Sequence, residues 1–169
     1  MISIIFDLDQ TLLDTSPAEV HRNARKWPLA YAAIPNFKSY EGISEVFTYI
    51  NEKGVNSCIV TNSPSSYCKK VIAHWNIKCD FHICYHDTKE RKPHPAPYIL
   101  ALSKFDTTPE KVLAVGDRDI DIIPAHAAGI KSLACLWGAN DAKSLLATNP
   151  TYVAKTPKDL LDVIILLNS

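Results

Sequence analysis

Apolar residues in this chain gather into short runs that alternate with stretches of helical periodicity. The first run, residues 2–6, is followed at once by two carboxylates, Asp7 and Asp9. A continuous apolar run of this length is typical of a strand buried on both faces, as in a parallel sheet. Further runs predict strands at residues 57–61, 81–85, 112–115 and 131–136, and near 152–153.

Amphipathic stretches predict helices between these strands. Their approximate bounds are 17–26, 43–53, 65–75, 95 or 97 to 105, 120–128, 141–147 and 157–167. Residues 16–19 (Ser-Pro-Ala-Glu) predict a capping box, and Thr156 begins the last helix by the same logic. Pro28 is expected to interrupt the first helix, and Gly54 to end the second. The alternation predicts an α/β fold with a parallel sheet covered on both faces.

Length and composition narrow the class of protein. With 169 residues and 47% apolar content, we expect a single domain, residues 1–169, with a substantial core. The 18 basic and 18 acidic residues balance, so a nucleic-acid partner is not expected, although a local basic patch stays open. No segment resembles a secretory signal or a membrane span. Five cysteines without a CxxC motif favour thiols in a reducing cytoplasm.

Four groups of polar residues follow the predicted strands or lie near the start of the next helix. Any one group has an ordinary explanation as a solvated turn, a helix cap or a loop charge. Ligands of open α/β sheets bind at the carboxyl ends of the strands, however, and four such groups at one edge predict a site. Repulsion between neighbouring carboxylates there favours a hard cation such as Mg²⁺. The groups are Asp7, Asp9 and Thr11; Thr61, Asn62 and Ser63; Lys92; and Asp117, Asp119 and Asp121.

These motifs resemble those of the haloacid dehalogenase (HAD) superfamily, in its phosphoglycolate-phosphatase-like branch. Asp7-Leu-Asp9-Gln-Thr11 matches the first motif, Thr61 the second, Lys92 the third and Gly116-Asp117-x-x-x-Asp121 the fourth. The resemblance covers nearly the whole chain and implies a three-layer Rossmann-like sheet. It also implies a Mg²⁺-dependent phosphatase that acts through an aspartyl-phosphate. Gln10 departs from the glycine that is usual in this branch.

The resemblance assigns a role to each motif. Asp7 would be the nucleophile and Asp9 the general acid and base. Thr61, Asn62 and Lys92 would hold the phosphoryl oxygens. The metal would be bound by Asp7, the backbone carbonyl of Asp9 and Asp117, with Thr11 and Asp121 in support. Because dehalogenases lack the second aspartate, Asp9 favours phosphoryl chemistry.

The segment that forms a cap in this branch is short here. Residues 15–40 leave room for at most a helix and a loop, so we expect an open site. The substrate would then be a large phosphorylated molecule, or a partner subunit would complete the site, and the protein would be a monomer or a homodimer. Alternative functions are a protein-tyrosine or nucleic-acid-end phosphatase and a weakly active phosphate-binding regulatory module.

Three sets of side chains have a functional and a structural interpretation, and the structural one is preferred for each. The aromatic set lines the entrance or packs on the core: Trp27, Tyr31, Phe37 and Tyr40. The basic set contacts a polymer or forms a solvated helix face: Arg22, Arg25 and Lys26. The third set binds zinc or consists of core thiols and edge histidines: Cys79, His82, Cys84 and His86.

Overall fold

The fold is an α/β structure around a six-stranded parallel sheet, as seen in a computed structural model that describes all 169 residues. The sheet has the order β5-β4-β1-β6-β7-β8. Its strands are β1 (Ser3–Phe6), β4 (Asn56–Val60), β5 (Phe81–Ile83), β6 (Val112–Gly116), β7 (Lys131–Cys135) and β8 (Tyr152–Ala154). A separate antiparallel pair consists of β2 (Leu13–Asp14) and β3 (Lys38–Ser39).

Eight α-helices surround the sheet. They are α1 (Ser16–Asn23), α2 (Trp27–Ala33), α3 (Ile43–Lys53), α4 (Ser65–Trp75), α5 (Ala96–Phe105), α6 (Asp119–Ala127), α7 (Ala142–Ala147) and α8 (Pro157–Asn168). Short 3₁₀ turns occupy Ile34–Asn36 and Pro109–Lys111. None of the helices combines the length and the apolar character needed to cross a bilayer.

Strand β1 lies in the interior of the sheet and is buried on both faces. Ser3 pairs with Asn56 of β4 on one side and with Val112 of β6 on the other. Ile4 and Phe6 pack with α3, α4 and α8 in one apolar cluster, whereas Ile5 packs with α5 and α6 in another. The predicted three-layer architecture is therefore confirmed, with helices on both faces of the sheet.

The segment between the first two long strands differs from its prediction. The capping box expected at residues 16–19 is wrong: Thr15 is the N-cap of α1, and no side chain caps the helix. Pro28 does not merely interrupt a helix, because it lies in the first turn of α2, where proline is accepted. Residues 15–40 are as short as expected for a reduced cap, but they hold two helices instead of one.

Two other local predictions are confirmed. The Thr156 side chain accepts a hydrogen bond from the backbone N–H of Asp159, and the Asp159 carboxylate accepts one from the Thr156 N–H, so α8 begins with a capping box. Gly54 follows α3 in the left-handed conformation, with φ of 64°. Both features were visible in sequence because a helix end depends on residues close together in the chain.

Candidate active site

A polar cleft opens at the carboxyl edge of the central strands. β1 ends just before Asp7, β4 ends just before Thr61, and β6 ends just before Asp117. The cleft has a volume of about 500 Å³, and only one of its 18 lining residues, Ile120, is hydrophobic. Every predicted site residue lines it except Thr11, which is buried beneath it.

Lys92 makes the central contact of the site. Its ammonium group donates to Asp7 Oδ1 at 2.8 Å, to Asp121 Oδ1 at 2.7 Å and to the backbone carbonyl of Val60 at 2.9 Å. Burial disfavours the charged form, but the carboxylates of Asp121 and Asp7 outweigh it and raise the pKa of Lys92 well above its ordinary value. The lysine is therefore a fixed positive charge beside Asp7.

The single positive charge of Lys92 does not balance the negative charges of the carboxylates around it. Carboxylate oxygens of Asp7, Asp117 and Asp121 lie within 4.8 Å of one another, in the only close group of potential metal ligands. Burial and the charge of Asp121 raise the pKa of Asp7 despite Lys92. Burial and the charges of Asp7 and Asp121 raise the pKa of Asp117 to about 9. A divalent cation would remove this conflict, so the residues present fit the expected metal.

The hydrogen bonds divide the three carboxylates into two kinds. Asp121 is fully engaged, because Oδ1 accepts from Lys92 and Oδ2 accepts the Arg118 N–H at 3.1 Å. Asp117 accepts from the Thr11 hydroxyl at 2.9 Å, and that hydroxyl also lies 3.5 Å from Asp7 Oδ2. Asp7 and Asp117 thus keep oxygen atoms free for a cation, while Thr11 and Asp121 orient their neighbours.

The Asp9 carboxylate has three side-chain partners. Of these, only Ser63 was among the site residues expected from sequence, whereas Tyr67 and Arg22 were not. Tyr67 donates to Oδ1 at 2.8 Å, and Ser63 donates to Oδ2 at 3.3 Å. The Arg22 guanidinium pairs with Oδ2 at 3.2 Å. Tyr67 lies in the first turn of α4, directly after the second motif, and that position is its only sequence signal. The prediction of a solvated face is wrong for Arg22, whose side chain is 17% exposed.

The second motif holds the Lys92 loop. The Asn62 amide donates to the Lys92 carbonyl at 2.9 Å and accepts the Lys92 N–H at 3.2 Å. The Thr61 hydroxyl accepts the Ser63 N–H at 3.1 Å. The backbone N–H groups of Asp9 and Asn62 have no partner within the chain, although both residues line the cleft. For Asn62, phosphate binding stays a prediction, and the backbone is the part free to do it.

The reduced cap contributes one helix to the cleft and packs its aromatic side chains elsewhere. None of the four aromatic residues lines the cleft, and the packing interpretation is confirmed, for example by Trp27 against Tyr67 at 5.9 Å and by Tyr40 against Trp137 at 6.5 Å between ring centres. The residues of α1 that do line it are Glu19, Arg22 and Asn23. Arg25 and Lys26 are exposed and stand outside it, as expected of a solvated face.

The parallel sheet, with buried aspartates and a lysine at its carboxyl edge, defines a three-layer Rossmann-like fold with a polar site that suits a cation. The family model described as haloacid dehalogenase-like hydrolase matches residues 19–135. The chain belongs to this family. The matched range includes Thr61, Lys92, Asp117 and Asp121, whereas Asp7 and Asp9 precede it.

Individual relatives are similar over part or all of the chain. A phosphoglycolate phosphatase from Photorhabdus laumondii is 35% identical over 108 residues, which are 63% of this chain and 46% of the relative. Pyrophosphatase PpaX from Oceanobacillus iheyensis is 33% identical over 82 residues, 48% of this chain and 38% of the relative. The crystal structure of a predicted phosphoglycolate phosphatase from Haemophilus somnus has a TM-score of 0.85 at 20% identity, covering 97% of this chain and 98% of that one.

The alignments with the curated relatives cover only part of each relative. The chain spans about half the length of the curated relatives it matches. The similarity to the Haemophilus somnus structure shows the fold, since its identity is low.

Proposed function

We propose that the protein is a Mg²⁺-dependent phosphatase that hydrolyses phosphate monoesters through an aspartyl-phosphate on Asp7. The observation that carries the proposal is the buried contact of Lys92 with Asp7, beside the buried carboxylate of Asp117. Lys92 reduces the repulsion between the nucleophile and an anionic phosphoryl group and fixes the direction of the carboxylate. A bound Mg²⁺, held by Asp7, the Asp9 carbonyl and Asp117, would neutralise the remaining charge.

The reaction proceeds in two displacements. A carboxylate oxygen of Asp7 forms a bond to phosphorus, the bond to the ester oxygen breaks, and Asp9 protonates the departing alcohol. Asp9 then takes a proton from a water molecule that attacks phosphorus, which returns Asp7 as carboxylate and releases inorganic phosphate. Tyr67 and Ser63 hold the Asp9 carboxylate in one orientation for both steps.

The phosphoryl group binds between the first and second motifs. The Thr61 hydroxyl and the unpartnered N–H groups of Asp9 and Asn62 donate to its oxygens, and Lys92 supplies positive charge. The almost wholly polar lining favours a small, polar ester over an aromatic one such as phosphotyrosine.

The whole chain, residues 1–169, acts as one hydrolase domain with residues 15–40 as a reduced cap. Its five free cysteines suit a reducing cytoplasm.

Phosphate release from para-nitrophenyl phosphate tests the proposal. Wild type is expected to need Mg²⁺, to lose activity in EDTA, and to lose nearly all activity as Asp7→Asn. Asp162→Asn is the matched control, since Asp162 is an exposed carboxylate of α8 outside the cleft, and the variant should keep its activity. Equal rates for wild type and Asp7→Asn, together with no binding of beryllium fluoride by wild type, would refute the proposal and favour a regulatory module.

A further inference from the structure

Arg22 occupies the side of the cleft where a leaving group would lie. It projects from α1, lines the cleft, and contacts the same carboxylate that is proposed to protonate the departing alcohol. Lys92, in contrast, contacts Asp7 and belongs to the phosphoryl side. Glu19 and Asn23 line the cleft from the same face of α1, three residues before and one after Arg22. The helix therefore places a guanidinium beside Asp9, on the side of the cleft where the ester oxygen of a substrate would lie.

Some N–H donors of the Arg22 guanidinium have no acceptor within the protein. Arginine carries five N–H donors, and here Nη1 pairs with Asp9 while Nη2 donates to the Thr15 hydroxyl at 3.3 Å. Nε is buried and has no partner, the only such side-chain atom in the protein. An unpaired buried donor on a charged group is costly. The group is thus set up for a further acceptor.

Asp9 does not depend on Arg22 for its position. Tyr67 and Ser63 hold its two oxygens separately, so the guanidinium can turn toward a ligand without leaving the carboxylate unpaired. The Arg22–Asp9 contact, at 3.2 Å, is also longer than the contacts of Lys92. An anionic ligand group can compete for Arg22, since a guanidinium binds carboxylates and phosphates through paired hydrogen bonds.

We propose that Arg22 is a specificity-determining residue that binds an anionic oxygen group, a carboxylate or a second phosphate, on the leaving alcohol. The inference rests on the proposed function, since that function defines which side of the cleft receives the alcohol. The reduced cap thereby selects its substrate with one side chain of α1 in place of an enclosing lid. Esters that lack the second anionic group bind more weakly, because they leave Arg22 on Asp9.

Binding to Asp7→Asn, which retains the rest of the cleft, separates recognition from turnover. The probes are three esters measured by calorimetry with Mg²⁺: 2-hydroxyethyl phosphate, 2-phosphoglycolate and ethylene glycol bisphosphate. The two esters whose alcohol carries a second anionic group are expected to bind about tenfold to a hundredfold more tightly than 2-hydroxyethyl phosphate, as charge-assisted hydrogen bonds allow. Adding Arg22→Met should abolish that preference, and adding Arg25→Met, an exposed arginine outside the cleft, should not change it. The better of the two anionic esters identifies the group.

Each result decides the inference. Equal binding of all three esters overturns it, as does a preference that survives Arg22→Met. If Arg22→Met does not fold, Arg22→Lys should keep part of the preference and Arg22→Gln should lose it. The proposed function is judged separately, by phosphate release from the same esters with wild type. There, Arg22→Met should raise KM for 2-phosphoglycolate and ethylene glycol bisphosphate more than for 2-hydroxyethyl phosphate.

Discussion

Gly138 lies directly against the backbone carbonyl of Gln10, so that a β-carbon at Gly138 would overlap that oxygen. The neighbouring Trp137 donates its indole N–H to the Thr11 carbonyl at 3.0 Å. The loop after β7 therefore packs against the backbone of the first motif at Gln10 and Thr11. Gln10 itself has a positive φ of 64°, and its side chain accepts the Thr15 N–H at 2.9 Å, which stabilises a turn where the family usually has glycine.

Gly138→Ala should push the loop after β7 away from the backbone carbonyl of Gln10. We expect a loss of about 1–3 kcal/mol in the free energy of unfolding, as for overpacking, and weaker catalysis because Asp9 and Thr11 shift with the loop. Urea unfolding and phosphate release measure the two effects. Gly54→Ala is the control: it meets no neighbouring atom, and its positive φ should cost about 1 kcal/mol without any change in activity. Full activity in a destabilised Gly138→Ala would contradict the supporting role.

Lys92→Met should destabilise the protein most at high pH. Removing one partner of a buried ion pair costs about 3–5 kcal/mol when the other partners stay charged. In the variant, Asp7 can become neutral at low pH, because burial and the charge of Asp121 raise its pKa, so we expect a small loss near about pH 5 and a large loss near about pH 8. Urea unfolding at both values measures it. Lys158→Met breaks the exposed pair with Asp162 and should have little effect at either pH.

The stability of the metal-free protein should fall as the pH rises. The pKa of Asp117 is about 9 in the folded protein, above its ordinary value of 3.8, so the folded state keeps a proton that the unfolded chain releases. This contribution to the free energy of unfolding is complete below the ordinary value and is lost as pH rises toward 9. Mg²⁺ replaces the proton, so the increase in Tm on adding Mg²⁺ should grow with pH.

Melting curves with Mg²⁺ and with EDTA across this range check the expectation. Calorimetry in buffers of different ionisation enthalpy should also detect protons released when Mg²⁺ binds. Asp117→Asn should show a small Mg²⁺ effect that does not change with pH. A Tm increase that is the same at all pH values in wild type would mean that Asp117 is not where the metal competes with a proton.

Tyr67→Phe should slow the reaction in a way that depends on the leaving group. The substitution removes the hydrogen bond to Asp9 Oδ1 and leaves the ring, which packs against Trp27. Protonation by Asp9 matters for alkyl esters, and much less for para-nitrophenolate, which leaves readily as an anion. We expect kcat on an alkyl phosphate to fall about tenfold, with a smaller change on para-nitrophenyl phosphate. An equal fall on both substrates would contradict a role through the general acid.

The strands and their polar ends were accessible from sequence because both depend on local pattern. An apolar run predicts a strand, and the next residue then lies at the carboxyl edge, which is how Asp7, Thr61 and Asp117 were found together. Lys92 follows no strand directly; it was placed among the site residues because it lies near the start of a predicted helix, and the resemblance to the family supplied its role. Contacts made by side chains from helices were not accessible. Arg22 on an isolated helix appears solvated, and only the placement of α1 over the cleft turns it toward Asp9.

The interior position of β1 also has a consequence for the order of assembly. β1 is the first strand of this sheet to be synthesised, yet both of its neighbours come from later parts of the chain, β4 and β6. One backbone edge of β1 can pair once β4 has emerged from the ribosome, whereas the other edge stays unpaired until residues up to 116 have emerged. Contacts this distant in sequence form slowly and expose strand edges meanwhile. The strand that leads into Asp7 thus depends on protection of one edge during translation until β6 is available.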